Sequence, residues 1–265
     1  MRAEQRYAVI LEMLATSGRV DIAELRSALA VSEMTIRRDL ADLEAQGALR
    51  RVHGGATRPV SGSYEPPFAV RAQLRVETKR AIAQAAAGQL SDGDTVILDG
   101  GTTGLAIAEC LLDRVMTICP LSLRVAFTLS SSRTVRLLLP GGFVRPGEQT
   151  LIGAETVLTL NEHVFDTYMM TVSGVSPQAG FTEWNPEDAA VKRAALASSR
   201  RCIAVFDSTK YDQAAFSRIA PLSVANLIIT DSGLPEQARA ELADVPSELQ
   251  LIPVPPGSAG PAQAR

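Results

Sequence analysis

Apolar positions at the start of the chain recur at helical intervals. Tyr7, Ile10, Leu11 and Leu14 predict a first helix, which Gly18 interrupts. Asp21, followed three positions later by Glu24, resembles a capping arrangement and opens a short second helix through Leu25 and Leu29. Ser32 can accept a hydrogen bond from the free amides of a third helix, in which Ile36, Leu40 and Leu43 form the inward stripe and Gly47 is a left-handed cap. A tight connection at Ala30–Val31 makes the last two a helix-turn-helix. With the stripe buried, Thr35, Arg37 and Arg38 lie on the outer side near the helix N-terminus, the part of such a motif that reaches bases and phosphates. After Gly47, "ALRRVHGGA" alternates like a short strand and turns at Gly54-Gly55. It reads either as a wing that brings Arg51 and His53 to duplex DNA or as a charged linker.

Beyond "TRPVSGSYEPPF", whose prolines, serines and glycine mark a boundary, the pattern changes. "TVILD", "TVRLLLP", "FDTYMMTVSG", "CIAVFD" and "LIITD" read as strands, and 79–90, 103–112 and 187–199 as helices. Such alternation predicts an α/β domain on a mostly parallel sheet. The expected organisation is a DNA-binding domain over 1–58, a linker over 59–74, a sensing domain over 75–253 and a disordered tail over 254–265, where "PVPPGSAGPAQAR" ends the chain.

A length of 265 residues with 46% hydrophobic content allows one large core and a small satellite domain. No membrane span is expected, and Glu4 and Glu12 stand where a signal peptide would be apolar, which predicts a cytoplasmic protein. Cys110, Cys119 and Cys202 are far apart, odd in number and without a CxxC pair, so neither disulfides nor a thiolate metal site is expected. The net charge is −3, yet residues 1–58 hold nine arginines against eight acids, so any nucleic-acid contact must come from local placement. Only three basic residues are lysines, Lys79, Lys192 and Lys210; they either mark sites that need a compact ammonium or survive on the surface by chance.

Ligands of parallel α/β sheets bind where strands end and helices begin. "ILDGGTTGLAIAECL" passes from a strand through Asp99, Gly100 and Gly101 into a helix started by Thr102 or Thr103. Free amides, a helix dipole and hydroxyls there make an anion pocket suited to phosphate, or simply a helix cap. "LLLPGGFVR" places Gly141 and Gly142 after another strand, "VFDSTKY" sets Asp207 and Lys210 at a strand end, and "PEDAAVKRA" brings Glu187 and Lys192 onto the first turns of a helix. His163 is isolated, without a metal-ligand partner at the usual spacing, and Trp184 beside the presumed pocket is better suited to packing than to stacking on a ligand.

"VSEMTIRRDLADLEAQGALRRVHGGA" resembles the winged helix-turn-helix signature of the DeoR family of bacterial transcriptional regulators. The resemblance implies that Ser32, Thr35, Arg37 and Arg38 read or clamp double-stranded operator DNA, with Arg51, His53 and Gly54 in the wing. The larger half, through "KRAIA", "LDGGTT", "PGG", "VSGVS", "GFT", "VKRA" and "DSTK", resembles the family's C-terminal sensor, which is similar to the ribose-5-phosphate isomerase and glucosamine-6-phosphate deaminase folds. That implies a phosphorylated sugar or related effector held by Asp99, Gly100, Gly101, Thr102, Thr103, Gly141, Gly142, Lys192 and Lys210. No cofactor is expected. One departure stands out: where the family usually shows Thr-Asn, this chain has Cys119-Pro120, which removes an amide able to bond a sugar hydroxyl.

An isomerase of that fold group needs a carboxylate base. The related enzymes place a Glu immediately before the helical lysine, where this chain has Val191, with Glu187 and Asp188 about a turn away. The expectation is therefore a receptor: a repressor of a carbohydrate operon, at least dimeric on its operator, and not an enzyme. The alternatives are a sugar-phosphate isomerase or deaminase with a DNA-binding head, and an activator or effector-independent regulator.

Overall fold

In the computed structural model of the chain, residues 3–45, 48–57 and 65–253 are described. The cap expected at Gly47, the stretch 58–64 and the tail 254–265 lie outside the described residues. Two compact units divide between Val76 and Glu77.

The first unit runs α1 (Ala3–Ser17), β1 (Arg19–Asp21), α2 (Ile22–Leu29), α3 (Glu33–Ala45), β2 (Arg50–Val52), β3 (Gly55–Thr57) and α4 (Phe68–Gln73). The expected apolar stripes converge, and Ile10, Leu25, Ile36, Leu40 and Leu43 are almost wholly buried. Asp21 and Glu24 form the capping box of α2, and the Thr35 amide donates to the Ser32 hydroxyl at 3.2 Å at the start of α3. Ala30 takes the left-handed conformation, φ 52°, and turns the chain between α2 and α3. A link absent from the sequence reading joins α1 to α3: Arg6 grips buried Asp39 through two hydrogen bonds of 2.6 and 2.8 Å.

Two features correct the expectations. "TSGRV" does more than stop α1, because Arg19–Asp21 is a strand that pairs with β3, giving a three-stranded sheet of order β1-β3-β2. The linker expected over 59–74 contains α4, whose Val70 joins the core of this unit. Pro67 stands at its N-cap, where the missing amide costs nothing; proline there starts a helix as readily as it breaks one.

In the second unit α5 (Val76–Ala87), β4 (Thr95–Leu98), α6 (Gly101–Cys110), β5 (Met116–Pro120), α7 (Leu123–Leu129) and β6 (Val135–Leu137) come first. A hairpin follows, β7 (Phe143–Val144) and β8 (Leu151–Ile152), then α8 (Ala154–Asn161), β9 (Phe165–Thr171), β10 (Gly174–Ser176), β11 (Gly180–Glu183) and α9 (Pro186–Ala197). The unit ends with β12 (Ser199–Val205), a 3-10 turn (Ser208–Lys210), β13 (Ser217–Ala220), β14 (Leu227–Asp231), α10 (Glu236–Ala243) and β15 (Glu248–Ile252).

Seven strands form one parallel sheet, ordered β15-β14-β12-β9-β4-β5-β6. Both faces are covered, so alternate strand residues enter different cores, as a fully buried parallel sheet requires. Val96, Leu98 and Met169 pack with α5, α6 and α7, while Ile97, Tyr168 and Met170 pack with α8 and α9. The chain starts at β4, builds outward through β5 and β6, then returns to β9 on the other side. The order therefore reverses between β4 and β9, the switch point where such sheets open a crevice for ligands. A small antiparallel sheet, β10-β11-β13, carries Glu183 at the end of β11.

Candidate functional site

Two sites emerge, one in each unit. In the first, α3 and the wing enclose an open groove of about 410 Å³ lined by Arg37, Leu40, Arg51, Val52, His53 and Gly54, among others. Ser32 and Thr35 share a hydroxyl–hydroxyl bond of 2.9 Å at the head of α3, and Arg37 and Arg38 are exposed on the following turn. Arg37 is braced by Glu33 one turn back, Nε to Oε1 2.8 Å. Arg51 is held by Glu44, which accepts from its backbone amide at 2.8 Å and from its Nε at 2.7 Å. Those bonds hold the Glu44 carboxyl below its ordinary range. Glu44 thus ties the end of α3 to β2 and fixes where the wing stands. The sequence reading missed it because an acid in a DNA-binding domain looks merely like a solvated charge. His53 and Gly54 form the wing turn, with Gly54 at φ 81°. The neighbouring Gly55 is needed for a close backbone contact: a Cβ there would lie 2.0 Å from the Val20 carbonyl oxygen of β1.

In the second unit Asp99, at the tip of β4, is buried. One carboxylate oxygen accepts from the Gly100 amide at 2.8 Å. The other accepts from Lys192 Nζ at 2.7 Å, from the Tyr168 hydroxyl at 3.1 Å and from the Thr171 amide at 3.1 Å. Lys192 also donates to the Thr171 carbonyl at 2.7 Å and pairs with Glu183 at 2.9 Å. Its three protons are thereby committed to protein groups. Burial alone would depress the Lys192 pKa, but the Asp99 and Glu183 charges outweigh that and raise it. Burial would likewise raise the Glu183 pKa, yet Lys192 and the Ser173 and Trp184 hydrogen bonds hold it below its ordinary value.

This cage fixes the turn above it. Thr171 Oγ1 donates to the Gly100 carbonyl at 3.0 Å, Gly101 takes φ 74°, and α6 begins. Its N-cap is Gly100, which brings no side chain to the orphan amides of the first turn, where Gly101 and Thr102 are half-buried and Thr103 is buried. Ser122 and Thr150 crowd Gly100 so closely that a Cβ would sit 3.2 and 3.1 Å from their side-chain carbons. The β7–β8 hairpin reaches this point, and its Arg145 pairs with buried Asp188 on α9.

Other expected residues take different places. Glu187 is exposed, and its amide donates to the Asn185 capping oxygen at 2.8 Å. Asp188 is the acid that shares the inner face with Lys192, four positions on, as helical periodicity requires. The reading that the nearest carboxylates to Lys192 are those a turn away along the chain is corrected by Asp99 and Glu183, which reach it from separate strands. Gly141 and Gly142, at φ 77° and 90°, lie against the hairpin and α8, where a Cβ on Gly142 would be 2.2 Å from Thr156 Oγ1. Asp207 caps the 3-10 turn that carries half-buried Lys210. That turn follows β12, two strands from β4, or about 10 Å at ordinary strand spacing. Cys119 is fully buried and its thiol is pushed up to about 12 by burial, so the departure from Thr-Asn leaves an apolar strand end. Among the described residues no helix is long and apolar enough to cross a membrane.

Comparison with known proteins places both units. Residues 6–61 match the DeoR-like helix-turn-helix domain and residues 74–232 match the DeoR C terminal sensor domain. The chain is 36% identical to the uncharacterized helix-turn-helix transcriptional regulator YgbI of Escherichia coli, over 94% of this chain and 96% of that one. It is 32% identical to the glycerol-3-phosphate regulon repressor of the same species, over 95% and 100%. It is 33% identical to the transcriptional repressor GlcR of Bacillus subtilis, over 92% and 94%. Among solved structures, a ribose 5-phosphate isomerase A from Methanocaldococcus jannaschii aligns with 52% of this chain and 56% of its own at 13% identity and a TM-score of 0.40. With both family domains present in order and relatives aligned along nearly their whole length, the chain belongs to the DeoR family of DNA-binding transcriptional regulators.

Proposed function

We propose that this regulator represses a carbohydrate catabolic operon in the cytoplasm, holds the operator as at least a dimer, and is released when a phosphorylated sugar or related metabolite binds at the head of α6. The observation that carries the effector site is an uncapped helix N-terminus at the β4/β9 switch point, set rigidly by the Asp99–Lys192–Glu183 cage. Open amides and a helix dipole favour an anion, and a phosphate monoester uses them fully. The relative named as a glycerol-3-phosphate regulon repressor carries a small phosphate monoester in its name, which fits this chemistry. In this reading Gly100, Gly101, Thr102 and Thr103 contact the phosphate. Asp99 and Lys192 position the turn from beneath it, and Asp207 and Lys210 approach from β12. Gly141, Gly142 and Glu187 line the outer rim. Ser32, Thr35, Arg37 and Arg38 face operator bases and phosphates, while Arg51, His53 and Gly54 grip the flanking backbone.

The test separates the two units. Phosphorylated sugars are screened by thermal shift, since a ligand bound only by the folded state raises its melting point. Arg37→Ala is expected to lose operator binding and keep the thermal shift; Lys210→Ala is expected to bind operator normally and lose the effector response. Equal loss of operator binding in two folded variants sinks the division of labour.

A further inference from the structure

The end of the large sheet at β6 differs from the rest of the surface. β6 is the last strand in the order, so one row of its backbone groups faces no neighbouring strand. Around it stand six of the eleven large apolar side chains exposed among the described residues: Leu123 and Phe127 on α7, Leu139 after β6, Phe143 and Val144 on β7, and Leu158 on α8. Phe127 is 81% exposed and Phe143 69%. These elements are fastened together. The Thr159 hydroxyl of α8 donates to the Pro140 carbonyl at 2.8 Å, and the Leu123 amide at the start of α7 donates to the Gln149 carbonyl of the hairpin at 2.8 Å. The Phe143 ring lies against Gly153, the N-cap of α8. Because α7 and α8 cover opposite faces of the sheet, exposed apolar side chains stand on both sides of this end. Contiguous apolar patches beyond roughly a few hundred Å² are rare on monomers and mark association sites.

The rim indicates what covers it. Arg133 and Arg136 are exposed at the start of the edge strand, and Glu155 and Glu162 are exposed on and just after α8. None of the four has an ion-pair partner among the described residues. A two-fold contact must be self-complementary, each patch meeting its own copy. An apolar centre with unpaired charges of both signs at its margin meets that condition; a partner of one charge would leave half the rim opposed by like charge.

We infer that the β6 end is a homotypic interface, where two copies of this chain meet apolar centre to apolar centre and the arginine side of each rim faces the glutamate side of the other. The inference deepens the reading that the operator is held by two copies, and rests on it. Light scattering on the purified full chain, without DNA, tests it. The wild type is expected at twice the mass of one chain, and Phe127→Glu and Phe143→Glu at the mass of one. Phe216→Glu, at a side chain 67% exposed before β13, is expected to leave the mass at two chains. Circular dichroism checks folding, and Leu158→Glu, on the opposite face of the sheet, replaces either variant that unfolds. A wild-type dimer that survives all these charges overturns the interface and leaves the two-copy reading standing. A wild type that is single in solution and single on operator DNA overturns both.

Discussion

Lys192 lies buried between two carboxylates, and that sets what its loss would do. Lys192→Met keeps most of the volume and leaves Asp99 and Glu183 buried without a cation, which is expected to cost about 3–5 kcal/mol, the range for breaking a buried pair from one side. Denaturant unfolding measures it. The sign of the pH dependence is a sharper readout. In the wild type Glu183 has a depressed pKa, so its contribution is present above the ordinary carboxylate value of 4.5 and is lost as pH falls through the lower folded value. In the variant Glu183 loses the lysine charge that held its pKa down, burial raises it instead, and protonation relieves it, so stability rises as pH falls toward about 5. Asp188, whose pKa is raised by burial despite Thr150 and Arg145, is also held down by the Lys192 charge, so losing the lysine raises it further and adds to the variant's difference with the same sign. Parallel pH profiles for the two proteins would show that Lys192 does not neutralise this cluster.

At the scale of elements, the wing depends on a contact between backbones. A Cβ on Gly55 meets the Val20 carbonyl, and neither strand can retreat without breaking the β1–β3 pairing. Gly55→Ala is therefore expected to destabilise the first unit by about 1–3 kcal/mol, the usual cost of overpacking, and to weaken operator binding while the effector's thermal shift stays unchanged. Gel-shift titration beside thermal-shift assay checks both halves; full operator affinity in the variant would mean the wing is not held through β1. The same contact marks where sequence reading stopped. The helices were legible because Ile36, Leu40 and Leu43 repeat at a period that only a helix satisfies, and the parallel sheet because its strands are apolar on both faces. β1 was not, since three residues carry no usable alternation and owe their conformation to a partner strand far along the chain. The candidate site divides in the same way. Asp99 to Thr103 is one continuous turn and declares itself. Glu183, Ser122 and Arg145 enter from other strands and the hairpin, and no spacing within the sequence joins them to Asp99.

For the whole molecule, regulation requires the two units to report to each other, and thermodynamics constrains how. The net charge of −3 gives no general attraction to DNA, so on the proposed reading operator affinity is expected to come from the local arginines of α3 and the wing and to fall steeply with salt. If an effector weakens operator binding by some factor, the operator must weaken effector binding by the same factor, typically roughly 5- to 150-fold for couplings of ordinary size. The expectation is that calorimetric titration of the effector into operator-saturated protein gives an affinity lower than into free protein, by the same ratio that gel-shift assays give for operator binding with and without effector. Raising the salt weakens the operator terms of both measurements together and preserves the equality. An effector that bound equally well with and without DNA would have no differential contact with the two states, and it could not be the signal, however tightly α6 held its phosphate.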